Sequence, residues 1–236
     1  MNLVLLFETD YIEPGKVRLT GRRHRHIVDI HRAAVGKKLC VGICNGKIGE
    51  GTITQLDDEQ AIMDVSCDRL PPSPLPIVLI LALPRPNVLR RTLLTAASMG
   101  VKSIVLLNFS RVEKSLWNSS ALREDAIHEQ LVLGLEQGKD TALPQVLLRE
   151  RFKPFVEDEL PGMTWGARLL VAHPESAERC PGDVKEKVVL IVGPEGGFVP
   201  YELEKMSGLG FQSIHLGERI LRVDAAVPAL LSKLFY

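Results

Sequence analysis

The sequence lacks an excess of either charge, a cysteine framework and a long apolar run. Its 29 Lys and Arg balance 29 Asp and Glu, so the formal net charge is zero. A zero balance argues against a protein that coats nucleic acid by bulk electrostatics, and against an acidic disordered tail. The longest apolar run, Leu75–Leu83, contains a proline and is too short to cross a bilayer. We therefore expect no membrane insertion and no indiscriminate binding of polyanions.

Cysteine is scarce. The 4 cysteines are too few and too irregularly spaced for a disulfide framework, and only Cys40 and Cys44 lie close together. No second pair follows them, and the 6 histidines form no ligand cluster, so no metal site is expected. Met1–Phe7 has no basic segment and runs into acidic residues, so we expect no secretory signal. A cytoplasmic protein with reduced thiols is the prediction.

The zero net charge conceals charge segregation along the chain. Lys16–Lys38 has eight basic residues and one acid, and Pro71–Leu122 has six basic residues and one acid. Ile48–Leu70 and Arg123–Glu186 are acidic. A balanced enzyme that binds a polyanion on one face shows this pattern, although a solvated helix face is the alternative for any one stretch. The candidate polyanion contacts are Arg22, Arg23, Arg25, Arg32, Arg85, Arg90 and Arg91.

A proline-rich segment divides the chain. Leu70–Pro76 holds four prolines in seven residues, which predicts a stiff linker at 71–76 between domains at 1–70 and 77–236. Residues 1–70 read as short strands with one helix at Arg22–Ala34, which predicts a small β-barrel. Asn45-Gly46 predicts a hairpin with a type I′ turn.

After the linker, apolar strands alternate with helices, which predicts an α/β domain with a mostly parallel sheet. The predicted strands are Ile77–Leu83, Ser103–Leu107, Leu169–Ala172, Val188–Val192 and Gln212–Leu216. The predicted helices are Val88–Met99, Ala121–Gln137, Pro200–Ser207 and Ala225–Phe235.

The strongest local motif is Gly193-Pro194-Glu195-Gly196-Gly197-Phe198, directly after a buried strand. Glycines at the carboxyl end of a parallel strand let a ligand approach the backbone. The spacing is neither a Walker A loop nor a G-x-G-x-x-G fingerprint, so a nucleoside triphosphate or NAD site is not supported. A tight turn without a ligand is the alternative.

A second motif follows the last strand. Gly217 opens a loop whose apolar Ile220 and Leu221 suit the wall of a flat ring, and the loop leads into an alanine-rich helix. Arg222 and Asp224 lie near the start of that helix, where Asp224 also suits the structural role of N-cap.

Taken together, in this order and at this spacing, Gly193–Phe198 and Leu216-Gly217-x-x-Ile220-Leu221-Arg222 resemble the RsmE-type ribosomal RNA uridine methyltransferases of the SPOUT class. The resemblance covers nearly the whole chain, and Arg22–Gly36 is similar to a basic segment of that family's PUA-like RNA-binding domain. It implies a PUA-like barrel over 1–70 and a trefoil-knotted methyltransferase domain over 77–236.

The resemblance further implies an S-adenosylmethionine cofactor held by the loops Leu170–Pro174, Ile191–Gly197 and Leu216–Leu221. It also implies a homodimer formed through the knot, and methylation of the N3 of a uridine in 16S ribosomal RNA of the small subunit. The implied cofactor contacts are Leu170, Ala172, His173, Ile191, Val192, Gly193, Gly196, Gly197, Leu216, Gly217, Ile220 and Leu221.

Candidate catalytic residues follow from the chemistry of uracil. N3 carries a proton at neutral pH, so methylation there needs a base or a group that stabilises negative charge on the ring oxygens. The planar fork of Arg222 suits the second task. Asp224, and after it Glu195, are the candidates for accepting the proton.

The chain departs from the family pattern on its presumed RNA side. Val88–Ser98 lacks the family's Lys and Glu, Glu136–Asp140 lacks its Arg, and Asp224-Ala225 replaces Glu-Thr. Two alternatives therefore stay open. One is a SPOUT enzyme that acts on another base or on a ribose hydroxyl. The other is an RNA-binding or ribosome-assembly module that does not catalyse.

Overall fold

In the computed structural model, which describes residues 2–236, the chain folds as two units. The first comprises Met1–Ser73 with Val132–Leu143, and the second Pro74–Leu131 with Pro144–Tyr236. The sequence placed its boundary at 71–76 but did not foresee that Val132–Leu143 belongs with the first unit. Contacts between segments distant in sequence leave no local pattern, so this addition required the tertiary structure.

The first unit is built on a six-stranded sheet in the order β1-β4-β5-β6-β3-β2. All neighbours are antiparallel except β1 and β4. The edge strands β1 and β2 are consecutive in the chain and joined by a 3-10 turn at Glu8–Asp10, which keeps both sheet edges together as in a small barrel. The strands are β1 (Val4–Leu6), β2 (Tyr11–Glu13), β3 (Lys16–Thr20), β4 (Lys38–Ile43), β5 (Ile48–Leu56) and β6 (Gln60–Arg69).

The helix predicted at Arg22–Ala34 is shorter than expected. Helix α1 covers Gly21–Arg25 and passes into a π-helical turn at His26–Ile30. Ile27 is fully buried, but Val28 and Val35, which the spacing of an α-helix would place on the same face, are 37% and 62% exposed. A π-turn is wider than an α-turn, so it rotates the following residues away from the predicted face.

The Asn45-Gly46 hairpin forms, but its turn differs from the prediction. β4 and β5 pair antiparallel around it, and the Gly46 N–H donates to the Ile43 carbonyl over 2.7 Å. The central residues of that turn are therefore Cys44 and Asn45. Asn45 has a positive φ of 58°, whereas neither Cys44 nor Gly46 does. A type I′ turn requires positive φ at both central residues, so the predicted type was wrong.

Two of the candidate RNA-binding arginines are engaged inside the first unit. Arg23 donates to both carboxylate oxygens of Asp10 at 2.5 and 2.6 Å and to the Leu5 carbonyl at 2.7 Å. Arg22 donates at 2.7 Å to Glu136, whose side chain is 2% exposed. These guanidinium groups neutralise buried carboxylates. Arg25 and Arg32 are exposed.

We expect Arg23→Met to destabilise the first unit by about 3 kcal/mol, because Asp10 would stay buried without its counter-ion. Urea unfolding, with hydrogen exchange of the β1 and β4 amides, measures this loss. The matched control is Lys38→Met, which removes an exposed pair with Glu50 at 3.1 Å and is expected to cost less than about 0.5 kcal/mol. Equal stability of the two variants would contradict the assignment.

The second unit contains a sheet of six strands in the order β12-β10-β11-β7-β8-β9, with all neighbours parallel. The central strand β7 is apolar and buried along its whole length. Because β12, β10 and β11 are adjacent and parallel, the loops that follow their carboxyl ends all lie at the same edge of the sheet. The strands are β7 (Ile77–Ala82), β8 (Ser103–Leu107), β9 (Gln145–Arg149), β10 (Ala167–Ala172), β11 (Lys187–Val192) and β12 (Gln212–Ile214).

Helices flank this sheet. They are α2 (Pro86–Ser98), the first part of α3 (Glu124–Gly138), α4 (Phe152–Pro154), α5 (Leu160–Thr164), α6 (Pro200–Gly208) and α7 (Val223–Phe235), with a π-helical turn at Phe155–Glu159. The remainder of α3, from Val132, belongs to the first unit. The sequence missed β9, α4 and α5. β9 is short and only half-buried, and prolines and a glycine interrupt the helical pattern of α4 and α5. The α/β fold class is confirmed, while the knot stays a prediction of the resemblance.

All four cysteines are free, and burial raises the pKa of the Cys180 thiol to about 11. That thiol is therefore protonated at neutral pH and a poor nucleophile. Over residues 2–236 no helix has the length and apolar character needed to span a membrane. Within the same range, no three His, Cys, Asp or Glu side chains are grouped as metal ligands.

Candidate active site

Three loops of the second unit surround one cavity of about 930 Å³. They follow the adjacent parallel strands β10, β11 and β12, and each contributes backbone and side chains to the wall. This edge of an open parallel sheet is where ligands of α/β proteins bind, and the volume suits a small organic ligand.

Most of the predicted cofactor contacts line this cavity. Leu170 and Ile191 do not, because they lie inside β10 and β11 and are 0% and 1% exposed. Their side chains pack into the core below the loops. The predicted residues in the wall are Ala172, His173, Val192, Gly193, Gly196, Gly197, Leu216, Gly217, Ile220 and Leu221.

The glycine-rich loop after β11 is shaped by close packing. A Cβ atom on Gly193 would lie 2.6 Å from the ring of Phe198, so only glycine fits there. In the loop after β12, Gly217 has a φ of 141°, a conformation that side chains disfavour. Next to it Ile220 and Leu221 are 82% and 42% exposed and present an apolar wall. The cavity thus combines open backbone with a flat apolar surface.

Asp224 lies between two arginines. Its Oδ2 accepts from Nη2 and Nε of Arg91 at 2.7 and 3.0 Å, and its Oδ1 lies 3.7 Å from Nε of Arg222. The N-cap of α7 is Arg222 and not Asp224, so the predicted capping role was wrong. In the first turn of α7 the carboxylate faces the positive end of the helix dipole and holds both guanidinium groups.

Glu195 also lines the cavity. Its carboxylate lies 3.7 Å from Nε of Arg85, and its side chain is 40% exposed. Nη2 of the same arginine lies 3.6 Å from Glu113. Two predicted RNA contacts, Arg85 and Arg91, are therefore paired with predicted catalytic carboxylates. Arg90 is exposed and donates to Oδ1 of Asn87 at 3.4 Å.

We expect Arg91→Met to lower kcat by about tenfold, because Asp224 then holds Arg222 less firmly. The salt dependence of RNA binding should not change, whereas loss of a phosphate contact lowers its logarithmic slope by about one. Steady-state kinetics and filter binding at several salt concentrations distinguish the two roles. A reduced slope with normal kcat would make Arg91 an RNA contact.

Sequence reasoning missed two arginines that line the cavity, Arg111 and Arg219. Arg219 occupies an unassigned position within the second motif. Arg111 follows β8, in a segment without glycine or any recognisable spacing, and only the fold brings it to the glycine-rich loop. No sequence signal marked it.

The family model for the RNA methyltransferase domain matches residues 71–235. The chain belongs to the RNA methyltransferase family. The enzyme class predicted from the two glycine motifs is thereby confirmed. Since the match spans the second unit's sheet and cavity, the three loops described above belong to the methyltransferase domain.

The similarity to known proteins also covers the first unit. Ribosomal RNA small subunit methyltransferase E of Treponema pallidum is 28% identical over 97% of this methyltransferase and 88% of that protein. The protein of the same name from Mycobacterium bovis is 23% identical over 97% and 90%. These names agree with the RsmE-type resemblance.

Solved structures share the fold. Ribosomal RNA small subunit methyltransferase E of Neisseria gonorrhoeae, bound to S-adenosyl methionine, superposes with a TM-score of 0.75 at 23% identity, covering 98% of this methyltransferase and 95% of that chain. A methyltransferase from Legionella pneumophila with the same cofactor gives 0.74 at 21% identity, covering 98% and 96%. The methyltransferase therefore has this fold along nearly its whole length.

Proposed function

We propose that this methyltransferase transfers a methyl group from S-adenosylmethionine to the N3 of a uridine in 16S ribosomal RNA. The observation that carries the proposal is the convergence of three loops from adjacent parallel strands on one cavity, in a chain of the RNA methyltransferase family. The names of the relatives supply the RNA class, since they are small-subunit ribosomal RNA methyltransferases.

The cavity fits the proposed donor. The backbone at Gly193, Gly196 and Gly197 is open to the cavity, where the polar chain of the donor needs hydrogen bonds. A flat apolar wall for the adenine ring is formed by Ile220 and Leu221. When bound, the donor supplies an electrophilic methyl group on its sulfonium. Catalysis then depends on positioning and on charge stabilisation by protein groups.

The chain's own residues divide the remaining work. The Arg222 fork is 68% exposed at the cavity wall, where it stabilises negative charge on the uracil oxygens as the N3 proton leaves. The Asp224 carboxylate is already bound by Arg91, so it holds Arg222 in place. Glu195 has a long contact with Arg85 and accepts the proton at its carboxylate before passing it to solvent.

The RNA itself meets exposed basic residues. Arg25 and Arg32 of the first unit and Arg90 of the second are exposed, and we assign them phosphate contacts, with 1–70 as the PUA-like RNA-binding domain. The family resemblance supports a homodimer, and a substrate in the small ribosomal subunit supports a cytoplasmic location.

Nucleoside mass spectrometry of ribosomal RNA tests the proposal. RNA from cells without the gene should lack one N3-methyluridine, and the purified protein with S-adenosylmethionine should restore it on small subunits from those cells. Loss of a different methylated nucleoside would establish the alternative of another RNA position. Unchanged RNA would contradict methylation altogether.

Calorimetric titration with S-adenosylmethionine separates an enzyme from a module that does not catalyse. The enzyme should bind the donor with a stoichiometry of about one per chain at micromolar Kd. A module with a degenerate site should give no heat of binding while still retarding ribosomal RNA in a gel.

A further inference from the structure

The segment that follows β8 makes three contacts with the glycine-rich loop and the start of α6. It comprises Phe109, Ser110 and Arg111, and no motif in the sequence marks it. It contacts the middle and the end of the loop that follows β11, so the two loops form one assembly at the edge of the cavity.

The first two contacts involve the buried side chains of Phe109 and Glu202. Phe109 is 1% exposed and packs edge-on against Phe198, with 5.3 Å between ring centroids. Glu202, which is 0% exposed, accepts the Ser110 N–H at 2.7 Å and the Val199 N–H at 3.0 Å. This carboxylate therefore ties the segment to the start of α6, where the loop ends.

The third contact is made by Arg111 and faces the cavity. Arg111 Nη1 donates to the Gly196 carbonyl over 2.6 Å, and its alkyl chain lies 3.4 Å from where a Cβ of Gly196 would be. The guanidinium thus fixes the direction of the peptide unit between Gly196 and Gly197. Two successive glycines have the widest range of backbone conformations, so a contact from outside the loop is needed to fix the conformation of this peptide.

We propose that Arg111 is a positioning residue for the methyl donor. By holding the Gly196 carbonyl, it fixes the glycine-rich loop in the conformation that lines the cavity. The assignment rests on the proposed function, since it assumes that this loop binds S-adenosylmethionine. It does not require Arg111 to touch RNA.

Arg111→Met tests the proposal because it keeps most of the alkyl chain and removes the donor groups. We expect the Kd for S-adenosylmethionine to rise about tenfold, and KM for the donor to rise more than kcat falls. Arg111→Lys should recover part of the affinity, because an ammonium can still donate to the Gly196 carbonyl. Arg111 is exposed, so both variants should unfold at the wild-type temperature.

The matched control is Arg168→Met, which removes an arginine of the same unit that pairs with Glu186 at 3.7 Å and does not line the cavity. Its Kd for the donor should equal the wild-type value. Glu202→Gln should also weaken donor binding, because the amide can accept with only one of its two terminal atoms.

Wild-type donor affinity and KM in Arg111→Met would overturn the proposal, as would a loss confined to RNA binding. Failure of the wild-type protein to bind S-adenosylmethionine would instead overturn the proposed function. The two failures are therefore distinguishable in one titration series.

Discussion

Arg222→Ala should bind S-adenosylmethionine with wild-type affinity and methylate RNA about a hundred- to a thousandfold more slowly. The expected loss is that of one preorganised donor which stabilises charge that develops during the reaction. The side chain is 68% exposed and its ion pair with Asp224 is long, at 3.7 Å, so the fold should tolerate the change. Single-turnover transfer of labelled methyl to small subunits measures the rate, and calorimetry measures donor binding.

Two controls sharpen this prediction. Arg168→Ala removes a guanidinium from the same unit, outside the cavity wall, and should leave the rate unchanged. Arg222→Lys keeps the charge without the planar fork, so it should recover only a small part of the activity. A wild-type rate in Arg222→Ala would show that another group, Arg219 being the nearest in sequence, stabilises the uracil.

The second large effect is expected at Gly193. The methyl group added by Gly193→Ala would lie 2.6 Å from the Phe198 ring, so the ring and the glycine-rich loop must shift. Overpacking of this kind costs about 1–3 kcal/mol, and the displaced loop should weaken donor binding by up to about a hundredfold. Isothermal titration with S-adenosylmethionine measures the loss, and thermal unfolding monitors the fold.

The matched control is Gly162→Ala in α5 of the same unit. A Cβ there meets nothing within 4 Å, so both donor affinity and stability should be retained. Normal affinity in Gly193→Ala would mean that the loop adapts freely, and that the close approach of Phe198 does not set its shape.

The cavity wall was predictable wherever local chemistry marks it. The glycines after β11 and β12 stand at strand ends, where a backbone open to a ligand is expected. Leu170 and Ile191, which were predicted to contact the cofactor but lie buried inside the strands, show the limit of such reasoning. A resemblance to a family marks a stretch of chain, but whether a side chain faces the core or the cavity depends on where the strand ends.

The arginines show the same limit more clearly. Sequence charge grouped Arg22, Arg23 and Arg91 with the basic face, but each is bound to a carboxylate distant in the sequence. Arg23 is paired with Asp10 and Arg91 with Asp224. A formal charge in a sequence does not say whether its partner is solvent, an acid or RNA.

By itself the sequence determined the two-part organisation, the α/β class and the RNA methyltransferase family. These follow from hydrophobic periodicity, from a proline-rich segment and from two glycine motifs, all of which are local patterns. Tertiary structure alone decided that Val132–Leu143 joins the first unit, that Asp224 lies between Arg91 and Arg222, and that Arg111 holds the glycine-rich loop. The contacts of Arg91 with Asp224 and of Arg111 with Gly196 join residues far apart in the chain, and such contacts depend on how the strands are ordered in the sheet.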